Sequence, residues 1–194
     1  ENISLAVSEH YLPKYNKDDL PTTKYGSIIS ISDKFETIIS LFISGKRPSG
    51  SSDPYALRRN LNGIIQIAWN FNFDMKFDIL VRKSLDFWKE NIKGINFNYE
   101  DVSSEILDFI MQRIISYLEE ISIKKDIVNS ICNSKLIGKS KPLAIYDLKN
   151  RISTINNIKS NEHFSIINII SRYSKLAGKG NLDTNIYYSE NIIK

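Results

Sequence analysis

An all-α fold, a multi-helix bundle, is what this sequence predicts. Three observations carry that expectation. Apolar residues recur at helical spacing in one segment after another, strand-like alternation is scarce despite the many isoleucines, and residues that open or stop helices stand at the segment ends. The run Ile-Ile-Ser-Ile-Ser at 28–32 could be a strand, but the helical period continues through Phe42 and outweighs it.

In chain order, residues 1–11 read as the end of a helix, and the stretch from Pro13 to Pro21, holding Asn16, Asp18 and Asp19, as a polar loop. From Ser27 to about Ser44, the residues Ile28, Ile31, Phe35, Ile38, Ile39 and Phe42 form an apolar stripe, and Gly45 stops the helix. Lys46 to Ser52 is a Gly/Ser/Pro loop. Asp53-Pro54 then reads as an N-cap followed by proline at the first helical position, where its missing N–H costs nothing. That helix carries Leu57, Leu61, Ile64, Ile65, Ala68 and Trp69 to about Asn70. A helix from about Lys76 to Asn91 buries Phe77, Leu80, Val81, Leu85 and Trp88, with Gly94 closing the connection after it. Asp101 or Ser103 can cap a long helix bearing Ile106, Ile110, Ile114, Tyr117 and Ile121. Shorter helices are expected at about 124–133, 142–158 and 162–177. Near residue 75 the texture changes from a loop-rich half to a more charged helical half, which places a boundary between residues 1–75 and 76–194.

A hydrophobic fraction of 42% with 25% charged residues marks a folded chain, not a disordered one. No apolar run reaches the roughly 18 residues that span a bilayer, and no signal peptide opens the chain, so no membrane partner is expected. The abrupt start at Glu1, without an initiator methionine, is expected of a piece of something longer. The lone Cys132 excludes an internal disulfide and a cysteine-rich metal site, and reads as a small buried or half-buried apolar residue in a chain suited to reducing cytoplasm. A net charge of +4 permits a nucleic-acid partner without demanding one, since an Ile/Lys/Asn-rich composition reaches it unaided.

Catalytic chemistry has no foothold in the pattern. There is no Gly-rich phosphate loop, no nucleophile elbow and no metal-spaced His/Cys cluster, and His10 and His163 stand far apart. The segment above background runs from Glu9-His10-Tyr11-Leu12-Pro13 through Asp33-Lys34 and Gly45-Lys46-Arg47-Pro48-Ser49-Gly50 to Asp53-Pro54-Tyr55-Ala56-Leu57-Arg58-Arg59. In order and separation this resembles the β subunit family of bacterial two-subunit glycyl-tRNA synthetases, with Ser32 standing where that family usually has Ala. The likeness is dense over 8–70, thins to a helical pattern over 75–160, and returns weakly at Ile170–Leu176.

The resemblance implies that residues 1–75 are the later half of an HD-like helical domain and 76–194 a helical body. It implies tRNA(Gly) and the synthetase α subunit as partners, with ATP and Mg2+ used on the α subunit and no cofactor or catalytic residue here; DNA is not an expected partner. Asp33 would stand where HD phosphohydrolases have their last metal-binding Asp, a relic at most, because one carboxylate cannot hold a metal. A surface carboxylate paired with Lys34 or Lys24 is the simpler reading of Asp33. An HD-type phosphohydrolase fragment and a purely structural scaffold are the rival readings of the chain.

The candidate tRNA contacts are Lys46, Arg47, Arg58 and Arg59. Guanidinium groups grip phosphate bidentately, and two arginines near a helix N-terminus work against the dipole, so they have a task. Successive residues point about 100° apart, so one is expected to tie the loop at 45–53 to a neighbouring helix while the other faces a partner. Trp69, Phe71, Phe73, Phe77 and Trp88 could stack bases, but their spacing fits a helix–helix core better.

Overall fold

The computed structural model describes residues 3–48, 53–132 and 144–160. Among them are seven helices: α1 (Ile3–Glu9), α2 (Lys24–Ile43), α3 (Leu57–Phe71), α4 (Phe77–Asn91), α5 (Tyr99–Glu120), α6 (Lys125–Cys132) and α7 (Ile145–Ser160). The described residues contain no strand, only an isolated antiparallel bridge between Lys76 and Ala144. The helix expected at 162–177 and the similarity at Ile170–Leu176 lie outside the described residues. Residues 1–152 form one compact unit; residues 153–194, which include the last turns of α7, form a second. The change of texture at residue 75 falls in the connection between α3 and α4, and α4 packs back against α2 across it.

The core lies where α2, α3 and α5 meet, with α4 against α2 and α5. Ile38, Ile39, Leu57, Leu61, Ile64, Ile65, Ile106 and Ile110 are fully enclosed. Phe42 meets Phe109 at 5.4 Å between ring centroids and Phe35 meets Phe77 at 6.5 Å, so the aromatics of α2 join it to α5 and α4. Truncating any one of these aliphatic side chains to alanine removes roughly 2–5 kcal/mol, because the packed neighbours refill the space only in part. Leu80 and Trp88, expected to be buried, are half-buried on α4, and Ile121 lies exposed just past α5. Cys132 is buried, and burial pushes its thiol up to about 11 against the pull of Arg151, leaving it inert at neutral pH.

Three helix ends show how local chemistry sets the elements. Gly45 adopts φ +75°, and the amides of Gly45 and Lys46 donate to the carbonyls of Phe42 (3.1 Å) and Leu41 (2.9 Å), the Schellman closure a glycine permits. Asp53-Pro54 does not open α3 as expected. Residues 53–56 form a turn, Ala56 sits in the left-handed region at φ 55°, and the helix starts at Leu57. The Asp53 carboxylate still caps from that distance, accepting from the amides of Arg58 (3.1 Å) and Arg59 (3.4 Å). On α5, Asn98 caps in place of Asp101 or Ser103: its side-chain oxygen accepts from the amides of Glu100 and Asp101, and the two acids then fall in the first turn, where the dipole favours them.

The early half of α2 is rotated from the expected stripe. Ile28 is 48% exposed and Ile31 half-buried, whereas Gly26, Ser27, Ser30 and Lys34 face inward. Small and polar residues point inward there because polar chain, not an apolar helix face, lies opposite them.

Candidate functional site

Two residues of the sequence signature, Glu9 and Lys34, are buried to 4% and 5% exposure, and both face that polar chain. Glu9, the last residue of α1, accepts from the amide (2.7 Å) and hydroxyl (2.6 Å) of Thr22 and from the amide (3.2 Å) and hydroxyl of Thr23. Burial alone would raise its pKa, yet the hydrogen bonds from Thr22 and Thr23 overcome it and hold the carboxyl at about 2. Thr23 is itself the N-cap of α2, its hydroxyl accepting from the amide of Gly26 at 3.0 Å. A β-carbon at Gly26 would lie 2.8 Å from Glu9 Cβ, so only glycine lets the carboxylate reach the cap.

Lys34 closes the other side of the same turn. Its ammonium donates to the carbonyls of His10 (3.3 Å), Tyr11 (3.3 Å) and Leu12 (3.1 Å) and to the hydroxyl of Ser30 (2.8 Å). Burial pushes this ammonium down, and the neighbouring charge of Asp33 partly restores it. His10 faces the carbonyl of Val7 through Nδ1. This network joins α1, the following loop and α2, and its polar groups are occupied by one another. Asp33 points away from it, exposed, and among the described residues no group of three or more His, Cys, Asp or Glu could hold a metal ion.

The basic candidates gather where α2 ends and α3 begins, and they differ in their engagements. Arg47 is held: its guanidinium pairs with Glu105 of α5 through Nε (2.5 Å) and Nη2, donates to the carbonyl of Phe42 at 2.6 Å, and lies 4.4 Å from the Phe42 ring centroid. Arg58 is half-buried on the first turn of α3, its backbone tied to Asp53, and its side chain lines a cleft of about 330 Å³ with Arg47, Arg113, Glu105, Asp108 and Phe109. Lys46 is exposed, its ammonium 5.9 Å from the Tyr55 ring centroid. Arg59 is exposed, and among the described residues no group holds its guanidinium.

Arg113 was not legible as part of this surface. It is bound to Asn62 of α3 through Nε (3.0 Å) and Nη2 (2.9 Å) and lies 3.8 Å from Glu120. The signal available was a polar stripe at 105, 108, 112 and 116 along α5, which marks the face turned to the cleft.

A family model described as glycyl-tRNA synthetase beta subunit matches residues 1–133, which takes in both the Glu9–Lys34 network and the basic end. The chain belongs to the glycyl-tRNA synthetase β-subunit family. Curated relatives named glycine–tRNA ligase beta subunit include one from Acaryochloris marina, 32% identical over 99% of this chain and 27% of its own length. Those of Trichodesmium erythraeum and Halothermothrix orenii are each 34% identical, over 94% and 98% of this chain and 26% of their own lengths. The chain therefore spans about a quarter of the curated relatives it matches. Among the described residues of this β-subunit family member, no helix is long and apolar enough to cross a membrane.

Proposed function

We propose that the protein serves glycine–tRNA ligase in the cytoplasm as part of its β subunit, positioning tRNA(Gly) and supporting assembly with the α subunit. ATP and Mg2+ act on the α subunit, where glycine is activated, and no residue of this chain is catalytic. The observation that carries the reading is the family match over residues 1–133. The exposed pair Lys46 and Arg59 supports the contact with RNA: cations without strong internal partners can neutralise phosphates and release their counterions. Arg47 and Arg58 act beneath them, bracing the α2–α3 connection against α5 and the turn at Asp53.

Measuring tRNA(Gly) affinity against salt tests this. Replacing Lys46 and Arg59 together with alanine is expected to lower the salt slope by about 2, one per phosphate contact, with the helical circular-dichroism signal unchanged. An unchanged slope and affinity would remove both residues from the interface. A chain that binds the α subunit but shows no tRNA binding would be an assembly scaffold only.

A further inference from the structure

At the other end of α3 lies a second cleft, of about 580 Å³, between the C-terminal ends of α3 and α5 and the loop that follows α1. That volume falls within the ~300–1,000 Å³ typical of clefts that take small ligands. Trp69 and Tyr117 form its aromatic wall, edge to face at 5.9 Å between centroids. The Lys149 ammonium sits 5.4 Å from the indole centroid, anchored on the carbonyl of Trp69 (3.0 Å) and the side-chain oxygen of Asn72 (2.6 Å). The side-chain amides of Asn16, Gln66 and Asn70 also line the cleft. Among the described residues, no group holds these three amides or the indole N–H of Trp69.

We propose that this cleft receives one unstacked nucleobase of the bound tRNA, an inference that rests on the tRNA-binding reading above. Three features favour a base over a phosphate. An aromatic wall packs against any base, because every base has a π-face. Side-chain amides carry donor and acceptor together, the combination that base edges present. The charges on the lining, Lys17 against Asp18 and Glu120, offer no excess of cation to a phosphate. Phosphate contact belongs instead to Lys46 and Arg59, and Arg59 is only about 15 Å along α3 from Trp69, a span one RNA strand can cover.

The chain has two tryptophans, Trp69 and Trp88, and Trp88 donates to Glu36 away from this cleft, so Trp88→Phe leaves Trp69 as the sole reporter. Titrating the full chain carrying Trp88→Phe with a tRNA(Gly) transcript is expected to quench Trp69 emission along the binding curve. Gln66→Ala with Asn70→Ala is expected to weaken binding roughly tenfold with the salt slope unchanged, since no phosphate contact is lost. Asn16→Ala, outside any helix, repeats the effect in smaller degree should the double variant unfold. Binding with steady emission and no loss in the amide variants overturns the cleft assignment while leaving the tRNA reading intact; no binding at all overturns both. Quenching by purified α subunit but not by RNA makes the cleft a protein seat and overturns the assignment.

Discussion

The Glu9–Lys34 network and the basic end of α3 belong to one sequence signature, yet physically they are opposites. In the first, a carboxylate and an ammonium are buried and every strong hydrogen-bonding group is matched inside the protein. In the second, charges of the same kinds sit at graded exposure, from Arg47 strapped to Glu105 to Arg59 in solvent. A buried charge that loses its partners is costly, so the network constrains the fold; an exposed charge costs little to remove, so it is available to a partner. Membership in a signature does not separate these tasks. Burial and partners do.

The largest effect is expected from breaking the network. Glu9→Ala leaves the cap of α2 without its acceptor and is expected to lower unfolding stability by about 3 kcal/mol, read from urea midpoints at neutral pH. A loss below about 0.5 kcal/mol would place Glu9 with the surface residues and erase the contrast.

The acid limb sharpens the same comparison. Because the Glu9 carboxyl is depressed from 4.5 to about 2, its stabilisation is fully present above pH 4.5 and is lost as pH falls through 2. The gap in stability between the wild type and Glu9→Gln is therefore expected to be widest above pH 4.5 and to narrow towards pH 2. A gap that stays constant across that window would show that the charge contributes nothing.

Arg47→Ala is the intermediate case, with an expected loss of about 1 kcal/mol, since its ion pair with Glu105 is partly exposed while its bond to the Phe42 carbonyl is better shielded. Adding salt should shrink that loss only in part. If salt abolished it, the ion pair alone would account for Arg47.

Several elements could be read from residues alone because their causes are local. Gly45 ends α2 since a left-handed residue is needed there, and α3 and α4 follow their apolar spacing almost to the residue. Asp53 was legible as a cap but not its distance: the turn through Ala56 inserts residues between cap and helix, and no local preference predicts an alanine in the left-handed region. Ile28 falls on the apolar stripe of α2 yet lies exposed, because periodicity records which residues are apolar, not what lies across from them. Of the four basic candidates, residue type and position gave the group, while their division into braced and exposed came from the approach of α5.

By itself the sequence determined the helical class, most helix spans, and a signature that resembles one family, all of which depend on short-range spacing and residue type. Only tertiary structure decided that Lys34 is enclosed by carbonyls 22–24 residues distant in the chain, and that Trp69, Asn16 and Tyr117 line one cleft. The physical reason is that burial and pairing are properties of what folding brings opposite a side chain, and those neighbours come from segments whose meeting no local pattern encodes.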